Sequence, residues 1–156
     1  MTILQKARLD DIAMMQDMVA QEVKEGIILP RSDDEVATNI RSYVVAKDGD
    51  EIVGYGALHI HSPKLGEIRS LIVSRERRGE GIGEKIVEYA LSEAKSLGLS
   101  EVLVLTYIPD FFKKLGFEEI EKETIPEHKI WADCIKCIHF PNCNEISLIY
   151  EISGVE

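Results

Sequence analysis

Arg77-Arg78-Gly79-Glu80-Gly81-Ile82-Gly83 joins a short apolar strand pattern, Glu67 to Val73, to a clean helical pattern. In that helix Ile86, Val87, Ala90, Leu91, Ala94 and Leu97 mark one face, and Gly98 is its expected stop. Three glycines within five residues let the backbone turn tightly and bring several N–H groups near one point. The helix adds the positive end of its dipole. The stretch therefore reads as a phosphate cradle, with a tight turn that holds no ligand as the competing reading.

Downstream, Val102-Leu103-Val104-Leu105 is an unbroken apolar run, which predicts a strand covered on both faces in the middle of a sheet. Pro109 to Leu115 predicts a short helix ended by Gly116, Phe117 to Glu121 a strand, and Glu145 to Ile152 a last strand. Upstream, Tyr43 to Ala46 and Glu51 to His61 flank Asp48-Gly49 as an antiparallel hairpin. Asp10 is expected to cap a helix that carries Ile12, Met15, Val19 and Val23 on its buried face and ends at Gly26. An apolar loop, Ile27 to Arg31, leads to Ser32-Asp33-Asp34-Glu35, which has the Ser-x-x-Glu form of a capping box. The short helix it opens directs Val36, Ile40 and Tyr43 inward. The order is helices, hairpin, strand-turn-helix, strand-helix-strand, strand.

With 156 residues and 45% apolar content the chain suits one domain spanning residues 1–156. A formal charge of −10 argues against nucleic acid or an anionic membrane as a non-specific partner, because such binding needs broad positive surface. No apolar run approaches the ~18 residues of a membrane span. Met1 to Arg8 lacks the architecture of a secretory signal, so a cytoplasmic location is expected.

Leu71-Ile72-Val73, then Arg78-x-x-Gly81-x-Gly83, then Phe111-Phe112-Lys113-Lys114-Leu115-Gly116-Phe117 together resemble the GCN5-related N-acetyltransferase (GNAT) superfamily. A lone Arg-x-x-Gly-x-Gly is weak, but a strand before it, a helix after it and a Gly-Phe 33 residues beyond Gly83 make it specific. The resemblance implies an α+β acyl-CoA N-acyltransferase fold in one domain: a mixed, mostly antiparallel sheet, flanking helices and a splayed central strand pair. It implies acetyl-CoA as cosubstrate, lying where the strand of Leu71 to Val73 parts from that of Val102 to Leu105. It gives the pyrophosphate to the amides of Gly79, Glu80, Gly81, Ile82, Gly83 and Glu84, with added charge from Arg78. The pantetheine arm and thioester carbonyl go to the backbone of Leu71, Ile72 and Val73.

A narrower resemblance is to the short, single-domain amino-acid acetyltransferases that make N-acetylglutamate. It rests on Gly26-Ile27-Ile28-Leu29-Pro30-Arg31-Ser32, Gly66-Glu67-Ile68-Arg69-Ser70-Leu71, Leu105-Thr106-Tyr107 and the segment from Cys134 to Glu145. It implies direct acetyl transfer to the α-amine of an amino acid, L-glutamate first, in arginine synthesis. Other readings are the same fold acting on another small amine or a protein N-terminus, and a non-catalytic module sensing acyl-CoA or metal.

An amine must lose a proton before it attacks a thioester. Glu67 is the first candidate base, matching a glutamate of the related synthases, with a solvated strand-end charge as the bland reading. His59 and His61, two apart and so on one face, are the alternative base or relay. Many superfamily members carry a tyrosine where this chain has Phe112, so Tyr107 is the candidate donor to the leaving thiolate. Glutamate brings two carboxylates, and Arg31 and Arg69 are the candidate substrate-binding cations. Arg75 and Arg77 are expected to enlarge the positive field around the phosphates.

Cys134-x-x-Cys137-x5-Cys143, with His128 and His139 nearby, holds enough ligands for one structural zinc. Cys134, Cys137, Cys143 and His128 form the candidate set; buried free thiols or a reversible disulfide are the alternatives. In each case residues 125–145 are expected to form a lid over the amino-acid pocket, fixed by Trp131 and Phe140. The superfamily resemblance implies C-terminal strands that often pair between subunits, and C2 dimers are the common oligomer, so oligomeric state is open with a homodimer as one expectation.

Overall fold

A computed structural model of the chain describes residues 2–26, 30–121 and 146–152. Its elements are β1 (Thr2–Lys6), α1 (Ile12–Lys24), α2 (Asp33–Thr38), β2 (Tyr43–Asp48), β3 (Glu51–Ile60), β4 (Leu65–Val73), α3 (Ile82–Leu97), β5 (Glu101–Thr106), α4 (Pro109–Lys114), β6 (Glu118–Ile120) and β7 (Ile146–Glu151). The strands follow the sheet order β1-β2-β3-β4-β5-β7-β6. Pairing is antiparallel for β1 with β2, β2 with β3, β5 with β7 and β6 with β7. The pairing of β4 with β5 is parallel and joins Leu65–Glu67 to Glu101–Leu103. This is the expected mixed, mostly antiparallel α+β fold. Cys134, Cys137, Cys143, His128, Trp131 and Phe140 lie outside the described residues, as do residues 27–29.

Two compact units emerge, Met1–His59 with Ile68–Glu93, and Ile60–Glu67 with Ala94–Glu156. In the first, successive residues of β2 alternate between two cores, as a pleated strand requires. Tyr43 and Val45, with Tyr55 and Ala57 of β3, pack against Ile12, Met15 and Val19 of α1 and Val36 of α2. Val44 and Ala46 pack with Ile82 and Ile86 of α3. Met15 and Val19 are 1% and 4% exposed, and burying side chains of this size contributes about 1.5–3 kcal/mol each. Gly54 and Gly56 let α3 lie close on β3. A Cβ at Gly56 would stand 2.9 Å from Ile86 Cγ2, and one at Gly54 3.1 Å from both Ile82 Cγ2 and the Ile72 carbonyl oxygen.

In the second unit Val102, Leu103 and Val104 are buried, as their apolar run predicts. Phe111, Phe112, Phe117 and Tyr150 form a chain of ring contacts with centroids 5.0–5.3 Å apart. Phe112 is 2% exposed inside that chain. Its role here is packing.

The structure departs from expectation at the N-terminus. Thr2–Lys6 is a strand paired to β2, where no strand was expected. Five residues with an exposed Ile3 give too little alternation to see, and the partner is some forty residues away. Asp10 does not cap α1. It is exposed and 3.4 Å from Arg8 Nε, whereas the buried Asp11 accepts the Arg8 backbone N–H at 2.8 Å and Lys47 Nζ approaches it at 3.0 Å. The capping box is present as expected: Ser32 Oγ accepts the Glu35 N–H and Glu35 accepts the Ser32 N–H, both at 3.1 Å.

Candidate active site

The turn between β4 and α3 takes its shape from glycines. Gly79 and Gly81 sit at φ +88° and +81°, in the left-handed region that a side chain disfavours. A Cβ at either would meet open space, so conformation and not crowding demands glycine there. The helical ladder starts with Lys85 N–H on the Gly81 carbonyl at 3.1 Å. The amides of Ile82, Gly83 and Glu84 therefore have no acceptor within the helix and are available to an anion. Ile82 is 3% exposed and pins the start of α3 into the core beside Val44 and Val53.

The arginines of this turn are already engaged by acids. Arg77 donates from Nε to both Glu80 carboxylate oxygens at 3.1 Å and from a terminal nitrogen to Asp48 at 2.9 Å. It clamps the turn to the tip of the β2–β3 hairpin and holds the Asp48 carboxyl below its ordinary range. Arg75 stands 3.6 Å from Glu22 and 3.9 Å from Glu25. Arg78 stands 3.6 Å from the same Glu22 oxygen and donates Nε to the Val73 carbonyl at 3.2 Å. Arg77 is thus a brace in the folded chain, where a contribution to the field around the phosphates was expected.

Glu67 and His61 meet in the second unit. The turn after β3 is closed by the His61 and Ser62 N–H groups on the Leu65 carbonyl and by Ser62 Oγ on the Lys64 and Leu65 N–H groups. That closure sets His61 Nε2 2.8 Å from Glu67 Oε1, with the two side chains 9% and 5% exposed. A carboxylate this buried needs such a partner. The solvated strand-end reading of Glu67 is accordingly wrong. The pair is a carboxylate–imidazole dyad able to take up and pass on a proton.

Arg31 lies on a cleft in the first unit, with Tyr43, Tyr55, Ser70 and Gln16 among its lining residues. The cleft is shallow: it encloses about 20 Å³, and the rest of the hollow is open to solvent. Gln16 of α1 holds the loop in place, donating from Nε2 to the Arg31 carbonyl at 2.8 Å and to Asp33 Oδ1 at 3.0 Å. Among the described residues no carboxylate lies within ion-pairing distance of the Arg31 guanidinium. The two tyrosine rings meet edge-on, centroids 5.9 Å apart. Burial raises the Tyr43 phenol above its ordinary range against the opposing pull of Arg31, the Ser70 hydrogen bond and Arg69. Burial raises Tyr55 further. Both phenols stay neutral hydrogen-bonding groups at physiological pH.

Of the residues expected from sequence, Glu67 is joined to His61, and Arg31 and Arg69 both act on Tyr43. His59 is half-buried near the end of β3. Tyr107 is 40% exposed, just past β5. Tyr43, Tyr55, Ser70 and Gln16 were not singled out by sequence. The tyrosines share a strand face with apolar neighbours and read as core, and Ser70 carries no local signal beyond its place in β4. Among the described residues no group of three His, Cys, Asp or Glu is arranged to hold a metal, and no helix is long and apolar enough to cross a membrane.

Comparison with known proteins gives a concordant picture. The model of the acetyltransferase (GNAT) family matches residues 11–117. An uncharacterized N-acetyltransferase of Chlorobaculum tepidum is 39% identical over 148 residues, covering 95% of each chain. An amino-acid acetyltransferase of Mycobacterium tuberculosis is 34% identical over 122 residues, 76% of this chain and 70% of that one. Among solved structures, an M. tuberculosis protein in complex with CoA and NLQ superposes with a TM-score of 0.85 at 26% identity, over 97% of this chain and 99% of the other. The N-acetylglutamate synthase of Neisseria gonorrhoeae, complexed with coenzyme A and N-acetyl-glutamate, gives a TM-score of 0.87 at 21% identity. That match covers 98% of this chain and 35% of the longer one, and it speaks to fold alone.

Proposed function

The chain belongs to the acetyltransferase (GNAT) family, and from that premise we propose that it moves the acetyl group of acetyl-CoA directly onto the α-amine of an amino acid, L-glutamate first, the step that opens arginine synthesis. The family sets the reaction as acetyl-CoA-dependent N-acetylation. The observation that carries the substrate class is Arg31, a cation in a cleft walled by hydroxyls with no acid partner among the described residues. In a chain of charge −10, such a cation suits an incoming carboxylate. The name of the M. tuberculosis amino-acid acetyltransferase supports the same class.

On this reading the amides from Gly79 to Glu84 take the pyrophosphate of acetyl-CoA, and backbone groups of Leu71, Ile72 and Val73 hold the pantetheine arm and polarise the thioester carbonyl. Arg78 adds charge after exchanging Glu22 for phosphate. Arg31 and Arg69 bind substrate carboxylate. Glu67, with His61 as relay, takes one proton from the substrate ammonium; the freed amine attacks the carbonyl carbon, and the C–N bond forms as the C–S bond breaks. The second N–H proton leaves the nitrogen, the thiolate gains one from Tyr107, and one proton is released overall.

The test is thiol release from acetyl-CoA with a panel of amines. Glutamate-dependent release is expected, and turnover with another amine but not glutamate would end this choice of substrate. Cofactor binding without turnover on any amine would favour the sensing module. Glu67→Gln should lower kcat by about 10²–10⁴-fold, the range of general acid–base catalysis, while acetyl-CoA affinity changes little. A pH–rate profile identical to wild type would remove Glu67 as the base.

A further inference from the structure

Ser70 is the one non-glycine residue at positive φ among the described residues, at +56°. It stands in β4, one residue after Arg69. Left-handed backbone in a serine is uncommon and is kept where the surroundings require it. At Ser70 it interrupts the alternation of the strand, and the residue lines the Arg31 cleft and hydrogen-bonds Tyr43.

The two hydroxyls carry two protons between them. One is used in their mutual bond and one is left over to donate. Gln16 cannot answer a ligand there, because its amide nitrogen is committed to Arg31 and Asp33. The cleft thus presents the Arg31 guanidinium, the spare O–H of the Tyr43–Ser70 pair and the Tyr55 phenol beside an apolar lining that includes Met15 and Val19. A tail of methylenes ending in a carboxylate matches that surface: the chain lies along the apolar lining, and the oxygens accept from Arg31 and from the spare hydroxyl.

We propose that Tyr43, oriented by Ser70, is a specificity-determining residue that donates to the side-chain carboxylate of an acidic amino acid alongside Arg31. The inference rests on the reading of this cleft as the amino-acid pocket. A wall of neutral hydroxyl and cation leaves a purely apolar side chain of the same length with donors unanswered, which is how a site built for a polar group rejects its analogue.

The test compares glutamate with norvaline, a substrate of similar length without the side-chain carboxylate, in wild type, Tyr43→Phe and Ser70→Ala. Tyr43→Phe should raise the KM for glutamate about tenfold, the scale of a hydrogen bond to a charged group, and shrink the glutamate-to-norvaline ratio of kcat/KM by the same factor. Ser70→Ala should move both quantities the same way by about threefold, since it only frees the phenol. The KM for acetyl-CoA should stay within about twofold in both. A packing role alone would lower thermal stability and affect both amines equally. If Tyr43→Phe is poorly folded, Ser70→Ala carries the test. Glutamate turnover in wild type with an unchanged glutamate-to-norvaline ratio in the variants overturns this inference alone. Absence of glutamate turnover in wild type, with turnover on another amine, overturns the substrate reading beneath it.

Discussion

The glycine turn and the Arg31 cleft both look prepared for anions, and they do it by opposite means. In the turn the groups on offer are backbone amides, and its arginines are matched to Asp48, Glu80, Glu22 and Glu25. In the cleft the groups on offer are side chains: a cation unmatched among the described residues, two phenols and a serine hydroxyl. A backbone site depends on φ and ψ, so it survives wide variation in side chain and suits a ligand shared by a whole family. A side-chain site can differ from one relative to the next, and on the proposed reading it is there that the acceptor is chosen.

Substitutions sharpen that contrast. Gly81→Val forces a β-branched residue to φ +81°, a strain of about 1–3 kcal/mol, and should reduce kcat/KM for acetyl-CoA by up to about 100-fold. The KM for glutamate should stay near wild type, and equal damage to both substrates would break the separation. Gln16→Ala removes the tether on the Arg31 loop and should raise the KM for glutamate about two- to tenfold, the worth of a neutral hydrogen bond, with acetyl-CoA kinetics unmoved. Arg77→Ala acts on a partly exposed brace and should raise the KM for acetyl-CoA about two- to threefold.

Arg77→Ala has a second readout. Arg77 depresses the Asp48 pKa in the folded chain, so their pairing favours the fold above the ordinary carboxylate pKa near ~4, and that contribution is lost as pH falls through the lower folded value. In the variant, Asp48 should titrate closer to the ordinary range, as followed by NMR. An unchanged Asp48 titration would mean that the brace does not form.

The same contrast explains what the sequence discloses. The turn is contiguous, so spacing alone reveals it, as does the capping box of Ser32 and Glu35 and the periodic face of α1. The cleft draws on α1, the Arg31 loop, the β2–β3 hairpin and β4, which come together only after folding. Tyr43 and Tyr55 alternate like core residues, and core residues they also are. Ser70 escapes notice because period-two reasoning assumes a regular strand, and its positive φ is a tertiary outcome. The dyad is intermediate. Glu67 and His61 could each be named, but their contact depends on the Ser62 turn that sets the register. Strand β1 is illegible in the sequence for a similar reason: its stability comes from β2, and its own five residues say little.

Saturation of thiol release by glutamate at fixed acetyl-CoA, in wild type and Arg31→Ala, is the most direct test of the account. The wild-type curve should saturate, and the variant should need about 10–100 times more glutamate, as expected for loss of a charge-assisted bond, with acetyl-CoA kinetics preserved. No glutamate-dependent release in wild type, or the same saturation curve in both proteins, would contradict it.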